Sequence, residues 1–593
     1  MYRAPVDEIA FTLKHVCGLD DLQKSASHQD LADDLVDAIL SEAGRFAAEE
    51  IAPLNAVADQ HGTPLADGKV TTPPGWRELY RAWIEGGWNG LTASPEAGGQ
   101  GLPMMLSAAA LEMWNSGSMA FAIGPTLTMG AVDALEKHAS PDIKAKYLEK
   151  LVSGEWMGTM NLTEPQAGSD LNALKARAER NEDGTYRIFG QKIFITYGEH
   201  DLTDNIIHMV LARLPDAPAG TKGISLFLVP KFLVNDNGSL GKRNDVRAAG
   251  VEHKMGIHGS PTCTMVYGDE GGATGWLIGE ENRGLACMFT MMNNARLAVG
   301  IQGLGVAERA YQHALNYAVE RRQGKAPGDK GEGMSPIARH PDIKRMLLAM
   351  KARTQVARAI CYACAHAIDM ANVAEDDTAR RFWSERASLL TPIAKAIPTD
   401  FGVEVASLGI QIHGGMGFIE ETGAAQFLRD ARIAPIYEGT NGIQSIDLVM
   451  RKLPMSDGAH VKGFIAELRA IADEVKASNR PEFGATAERL AASLRDLEEA
   501  TDYMLTAQAE GRIADALSGA TPYLRVAGLA LGGALLAKGA LRSAGEPAAR
   551  LADRTLLARN FCETTLGETA GLKSDILLSA QSIQAFDAEA QAS

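Results

Sequence analysis

Tyr186-Arg187-Ile188-Phe189-Gly190-Gln191-Lys192-Ile193-Phe194-Ile195-Thr196 decides the fold class. Isoleucine, phenylalanine and tyrosine crowd this stretch, and such side chains fit the pleated surface of a sheet better than a helix. Ile206 to Leu214, Gly223 to Pro230 and Thr262 to Tyr267 are likewise short, apolar and bounded by turn residues. Together they predict a β domain over residues 157–272.

Outward from it the pattern turns helical. Upstream, Asp30 to Ile51 sets Leu31, Leu35, Ile39 and Phe46 near one face, and Pro53 is expected to end that helix. Trp76 to Gly87, Leu106 to Asn115 and Ala131 to His138 read as further helices, and Ser94 to Gly101 as a loop. This predicts a helical domain over 31–156, preceded by an extension, 1–30. Downstream, helices resume at Gly284. Ile343, Leu347, Met350, Thr354, Ala357, Cys361, Cys364 and Ile368 recur in steps of four and three, a heptad-type seam on one long helix. Pro454, Ser456, Asp457 and Gly458 break the chain between a helical-bundle domain, 273–453, and an Ala- and Leu-rich helical block, 460–593. The expected fold class is multidomain α+β: N-terminal helical domain, middle β domain, C-terminal four-helix-bundle domain and an extra C-terminal helical block.

The composition narrows the partners. At 593 residues, 46% hydrophobic and 22% charged, the chain suits several globular domains. Its 58 basic and 74 acidic side chains leave a charge of −16, which repels phosphate backbones and argues against a nucleic-acid partner. Six cysteines are too sparse for a disulfide scaffold and fit a reducing cytoplasm. Met1 to Asp20 lacks the apolar core of a signal peptide. Val526 to Ala537, the longest strongly apolar run, is too short to span a bilayer, so no membrane span is expected.

Three motifs invite chemistry. Cys361-x-x-Cys364 lies on the apolar seam with no second pair, so core packing outweighs a metal or redox reading; His366 nearby leaves a zinc set incomplete. No strand–GxGxxG–helix unit and no P-loop occur. Thr163-Glu164-Pro165-Gln166-Ala167-Gly168-Ser169-Asp170 is a polar turn at the helical-to-β boundary, and such turns present N–H groups and hydroxyls to an anion or a heterocycle. In Ala431-Arg432-Ile433-Ala434-Pro435-Ile436-Tyr437-Glu438-Gly439-Thr440-Asn441-Gly442 a lone carboxylate follows an apolar run. A loop glutamate is usually just solvated; apolar flanks would desolvate this one and raise its pKa towards the range of a general base.

Taken together, these residues resemble the acyl-CoA dehydrogenases. The resemblance rests on Thr163-Glu164-Pro165-x-Ala167-Gly168-Ser169-Asp170, Gly190-Gln191-Lys192-x-Phe194-Ile195-Thr196, Gly279-Glu280-Glu281-Asn282-x-Gly284 and Glu320-Arg321-x-Gln323. It continues through Gln411-Ile412-His413-Gly414-Gly415-x-Gly417-Phe418, Arg429-Asp430-Ala431-x-Ile433 and Ile436-Tyr437-Glu438-Gly439-Thr440. The motifs keep the family's order across residues 30 to 453. The N-terminal extension, His340-Pro341-Asp342 and the C-terminal block resemble a longer bacterial subgroup.

The resemblance implies FAD held between the β domain and the bundle, an acyl-CoA substrate, a homodimer, and electron-transferring flavoprotein as acceptor; it implies no metal. Glu438 matches the base that removes the α-proton while FAD accepts the β-hydrogen, giving a trans-2-enoyl-CoA. Met160, Leu162, Thr163, Gly168, Ser169, Phe194 and Thr196 match flavin contacts from the β side. Arg321 and Gln323 match contacts reaching FAD across a dimer; Gln411, Gly414 and Gly415 match the adenosine-side loop, and Thr440 lies near the phosphates. Ser169, Asn293, Arg296, Tyr437 and Gly439 match substrate contacts. The subgroup implies a short substrate, 3-(methylthio)propanoyl-CoA. Rival readings are a fatty acyl-CoA dehydrogenase, an acyl-CoA oxidase and a DNA-associated alkylation-response flavoprotein.

There are departures from the family pattern. Gly324-Lys325 stands where Phe-Gly is usual, Gly442 where shorter relatives carry Gln, Asn293 where a relative has Asp, and His413 where Phe is common. His413 is read as a packing residue.

Overall fold

A computed structural model describes residues 2–592, without the side chains of Asn293 and Ala592. The chain divides into two compact units. One comprises Arg45–Pro103 and Met113–Ala298; the other comprises Met1–Gly44, Met104–Glu112 and Val299–Ser593.

The first unit is built on the sheet. Among the described residues its strands run, edge to edge, Val246–Val251, Thr262–Tyr267, Tyr186–Thr196, Ala273–Ile278, Ile224–Pro230, Ile206–Arg213 and Met157–Asn161. Arg177–Arg180 pairs with both Tyr186–Thr196 and Ile206–Arg213. Ile206–Arg213 and Ile224–Pro230 are buried almost throughout, so they read as continuous apolar runs rather than alternating ones. Ala273–Ile278 lies past the expected end of the β domain. It pairs with Tyr186–Thr196 and Ile224–Pro230, and Gly275 within it weakens the strand signal.

Two helical expectations change. The helix Asp33–Phe46 does not stop at Pro53: a π-turn, Ala47–Ile51, and a 3₁₀ turn, Ala52–Leu54, carry it into Asn55–His61. Pro53 enters at the start of the 3₁₀ turn, where its missing N–H is not required. Leu106 to Asn115 and Ala131 to His138 belong to one helical run, Met104–His138, broken at Ser118 (φ −159°, ψ 108°). Gly117 beside the break packs on the π-turn, where a Cβ would lie 2.9 Å from Ile51.

The second unit is helical. Most of the Pro341–Val373 seam is buried, with Ile343 and Ile368 half-buried. Cys361 and Cys364 are packing residues: both are fully buried, and burial pushes the Cys364 thiol up to about 12. Asp377–His413 lies alongside, and its Pro398 withdraws the N–H that would reach Ala394. That carbonyl accepts the Cys361 thiol, and Gly300 comes so close that a Cβ would overlap it.

The extra block centres on Ala520–Arg542, where Gly528 and Gly532 let the helix settle against Ile397 and Val356. Met104–His138 and Ala520–Gly545 are long and apolar enough to cross a membrane by length and composition, yet 72% and 83% of their apolar windows are buried within the protein. The N-terminal extension is itself folded. Leu13, Leu19 and Leu22 are fully buried, Arg554 pairs with Glu8 at 2.9 Å and lies 3.4 Å over the Phe11 ring, and Lys538 Nζ donates to the Val16 carbonyl at 2.6 Å. The two sequence ends are thereby stapled together.

Candidate active site

Each unit carries its own cluster of motif residues. In the sheet unit, Thr262–Tyr267 pairs Cys263 with Ile195 but Met265 with Lys192, so two residues, Ile193 and Phe194, oppose one. This β-bulge turns Phe194 into a left-handed conformation (φ 60°) and leaves the residue 58% exposed. A large aromatic held at positive φ and offered to the outside is costly unless a flat partner covers it.

Beside it, the Thr163 turn is clamped from behind. The Glu164 carboxylate, 3% exposed, accepts from Lys192 Nζ at 2.8 Å and from the backbone N–H groups of Lys175 and Ala176 at 2.7 and 3.0 Å. Burial opposes its charge, but the ammonium and the two N–H groups outweigh burial and hold the carboxyl below its usual range. Lys192 also donates to the Leu162 carbonyl at 3.0 Å, and Ile193 N–H to the Thr163 carbonyl at 2.9 Å. Met160 is buried in the neighbouring strand; Leu162, Thr163 and Thr196 are half-buried, and the Thr196 carbonyl accepts from Thr159 Oγ1 at 2.6 Å. Gly168 and Ser169 are exposed, and a Cβ at Gly168 would meet nothing. An exposed ring beside an open-sided turn fits the edge and face of an isoalloxazine. Arg296 is buried in the same unit, on the helix Gly284–Glu320; the Asn293 side chain lies outside the described residues.

In the helical unit the carboxylate loop is wound tightly. Ile436 and Tyr437 N–H groups return to the Ile433 carbonyl, and Asn441 N–H closes on the Pro435 carbonyl at 3.0 Å. Glu438 occupies the middle of that loop at φ 55°, followed by Gly439 at φ 80°. Gln444 Nε2 donates to the Glu438 carbonyl at 3.1 Å. Thr440 Oγ1 caps the next helix, Asn441–Asp447, by accepting from Ile443 N–H at 3.2 Å. Tyr437 OH donates to Gln302 Oε1. The apolar run does not by itself enclose the carboxylate: Ala434 is buried, but Glu438 is half-buried and Ile436 is 47% exposed.

At the end of Asp377–His413, Gln411, Gly414 and Gly415 are exposed, and a Cβ at either glycine would meet open space. His413 is buried; its ring stacks on Tyr317 at 4.3 Å and on His313 at 4.8 Å, and its Nδ1 bonds the Gly409 carbonyl at 2.7 Å. This brings the Gln411–Gly415 turn to the end of the helix that leads into Arg321 and Gln323, both exposed. Gln302, Gln444, Lys395 and Asn441 are supporting residues that motif reading misses. Gln302, Lys395 and Asn441 act through partners distant in sequence; only Gln444, which reaches back six residues to Glu438, could have drawn notice.

Comparisons with known proteins cover nearly the whole chain. The acyl-CoA dehydrogenase N-terminal, middle and C-terminal domain families match residues 34–155, 159–269 and 282–453, and an acetyl-CoA dehydrogenase C-terminal-like family matches 464–587. The chain is 45% identical to 3-methylmercaptopropionyl-CoA dehydrogenase of Ruegeria pomeroyi over 531 residues, covering 89% of each chain. It is 37% identical to a butyryl-CoA dehydrogenase of Syntrophomonas wolfei over 489 residues, covering 81% of this chain and 79% of the other. Its fold matches an FAD-complexed acyl-CoA dehydrogenase of Bacillus anthracis with a TM-score of 0.74 at 21% identity, over 98% and 93% of the two chains.

The protein is thus an FAD-dependent oxidoreductase acting on a CH–CH bond. The chain belongs to the acyl-CoA dehydrogenase family.

Proposed function

We propose that the protein oxidises 3-(methylthio)propanoyl-CoA to 3-(methylthio)acryloyl-CoA, a step of dimethylsulfoniopropionate demethylation, with Glu438 as the base. The similarity to the Ruegeria enzyme over 89% of both chains supports the substrate. The observation that carries the base is the left-handed turn at Glu438, which aims one carboxylate from a loop closed on itself.

In this reading Glu438 takes the α-proton of the thioester. Its backbone N–H donates to the thioester oxygen as enolate charge develops, and one such donor is typically worth about 3–4 kcal/mol. Tyr437 and Gly439 shape the passage beside the α-carbon, and Ser169, Asn293 and Arg296 hold the CoA portion. FAD, when bound, supplies the two-electron acceptor for the β-hydrogen. Phe194 stacks on the flavin, with Met160, Leu162, Thr163, Gly168, Ser169 and Thr196 around the ring system. Gln411, Gly414, Gly415 and Thr440 receive its adenosine and phosphate end, and Arg321 and Gln323 reach the FAD of a second copy. The exposed Met416, Phe418 and Ile419 beside the Gly414 turn favour such a homodimer. The acceptor is electron-transferring flavoprotein, and the setting is the cytoplasm.

Flavin bleaching with acyl-CoAs from C4 to C16 and the methylthio compound tests the substrate. The methylthio thioester should bleach fastest; equal rates along the series would overturn the assignment. The butyryl-CoA dehydrogenase relative favours a second reading, an ordinary short-chain fatty acyl-CoA substrate. Butyryl-CoA outpacing the methylthio compound would establish that reading.

A further inference from the structure

The extra C-terminal block meets the catalytic-loop helix inside the helical unit. A cavity of about 560 Å³ there is lined by Asn441 and Ser445 on one side, Asp400 on another, and Arg525, Leu572 and Asp575 of the block. Asn441 stands three residues after Glu438 and is held from every side. Its backbone N–H closes the loop on Pro435. Its side-chain oxygen accepts from Lys395 Nζ at 2.8 Å, and its Nδ2 donates to Asp400 Oδ1 at 2.7 Å and Thr399 Oγ1 at 3.0 Å. A cation on the oxygen and a carboxylate on the nitrogen allow one orientation of this amide; a flip would set NH₂ against NH₃⁺. Lys395 is fully buried and Asp400 half-buried, so both contacts are shielded from bulk water.

We infer that Asn441 is a positioning residue for Glu438, and that the C-terminal block acts on the base through it, with Arg525 supporting the Asp400 carboxylate that orients Asn441. The inference rests on the reading of Glu438 as the base. Arg525 pairs with Glu404 at 2.9 Å, lies 5.0 Å over the Phe401 ring and lines the same cavity as Asp400. Burial raises the Asp400 carboxyl pKa, with the Glu404 charge adding to it, and the Asn441 hydrogen bond, the Arg525 charge and the Lys395 charge counter that rise. Without Arg525 the carboxyl holds a proton more readily, and the charge-assisted bond to Asn441 weakens. The appended block thereby becomes part of the dehydrogenase site rather than an ornament beside it.

Steady-state kinetics of the full-length holoenzyme test this with five variants, each checked for FAD content and Tm. Asn441→Asp sets carboxylate against carboxylate and should lower kcat about tenfold with KM and FAD content unchanged. The exchange Asn441→Asp with Asp400→Asn restores the donor–acceptor pair with its polarity reversed, and should recover kcat to within about threefold of the parent. Arg525→Gln should lower kcat about threefold in the parent and have no effect in the exchanged pair, where residue 400 is neutral. Glu438→Gln is the reference. If it keeps near-normal turnover, the base reading fails. If it is inactive while Asn441→Asp turns over like the parent, or while the exchange stays as slow as Asn441→Asp, the positioning role alone is overturned. Arg525→Gln at the parental kcat, or acting equally in both backgrounds, overturns the part assigned to the block.

Discussion

Gln444 donates through Nε2 to the backbone carbonyl of Glu438 at 3.1 Å, and Glu438 itself sits at φ 55°. A left-handed glutamate costs about 1–2 kcal/mol relative to an ordinary turn. The fully buried Gln444 side chain, reaching back from the next helix, offsets that cost and holds the carbonyl turned away from its usual direction. Gly439 follows at φ 80°, and a Cβ there would press on Gln444 Nε2 at 3.0 Å.

Gln444→Leu keeps the volume and removes the donor. We expect kcat to fall about tenfold and stability by about 1 kcal/mol, because the half-buried Glu438 carbonyl loses its donor. Turnover measured beside urea unfolding separates the two effects. A variant with parental kcat would show that the glutamate holds its conformation unaided.

Glu438→Gln is isosteric but cannot take a proton. FAD content and ligand binding should stay normal while turnover drops by at least about 10²-fold, the lower range of general-base contributions. Stopped-flow bleaching of the flavin reads this directly. Near-normal bleaching would move the base elsewhere.

Lys192→Met should be severe. It strands the buried Glu164 carboxylate, and breaking such a pair from one side costs about 3–5 kcal/mol. Adding Glu164→Gln should return a large part of that loss. The pH dependence follows from the direction of the shift. The folded Glu164 carboxyl lies below its unfolded value, so its contribution is fully present above the unfolded pKa of about 4.3 and is lost as pH falls through the folded value. Acid titration of Tm should show this loss in the parent and a flatter acid limb in the double variant. Identical limbs would remove Glu164 from the account.

Phe194→Ala should loosen FAD about tenfold, the loss of an aromatic stack worth about 1 kcal/mol beyond area. Phe194→Gly loses the same ring but relieves the positive φ, so its apoprotein should melt above that of Phe194→Ala. Fluorescence titration of FAD into both apoproteins measures the first expectation and calorimetry the second. Parental FAD affinity in both variants would free the ring from any flavin role.

Local chemistry made much of this molecule legible. The strand Tyr186–Thr196 coincides with the run read from its β-branched and aromatic residues, and the seam on Pro341–Val373 follows its apolar period, because both signals repeat within a few residues. The family motifs were equally local: each is a short stretch of sequence. Where a local rule met a non-local neighbour it failed. Pro53 should stop a helix, but a π-turn just before it absorbs the misfit. Ala273–Ile278 carries a weak strand signal and is a strand because two partners enclose it.

The sequence by itself determined the helical–β–helical order, the family and the loop that bears Glu438. Tertiary structure alone decided that the N-terminal extension is stapled to the last block, that Glu164 and Lys192 clamp the Thr163 turn, and that Asn441 lies between a lysine and an aspartate. The Arg554–Glu8 pair joins residues 546 positions apart. A periodicity cannot encode such a contact: it exists only after loop closure has been met by packing, and then a buried charge must find its partner or lose its ionisation.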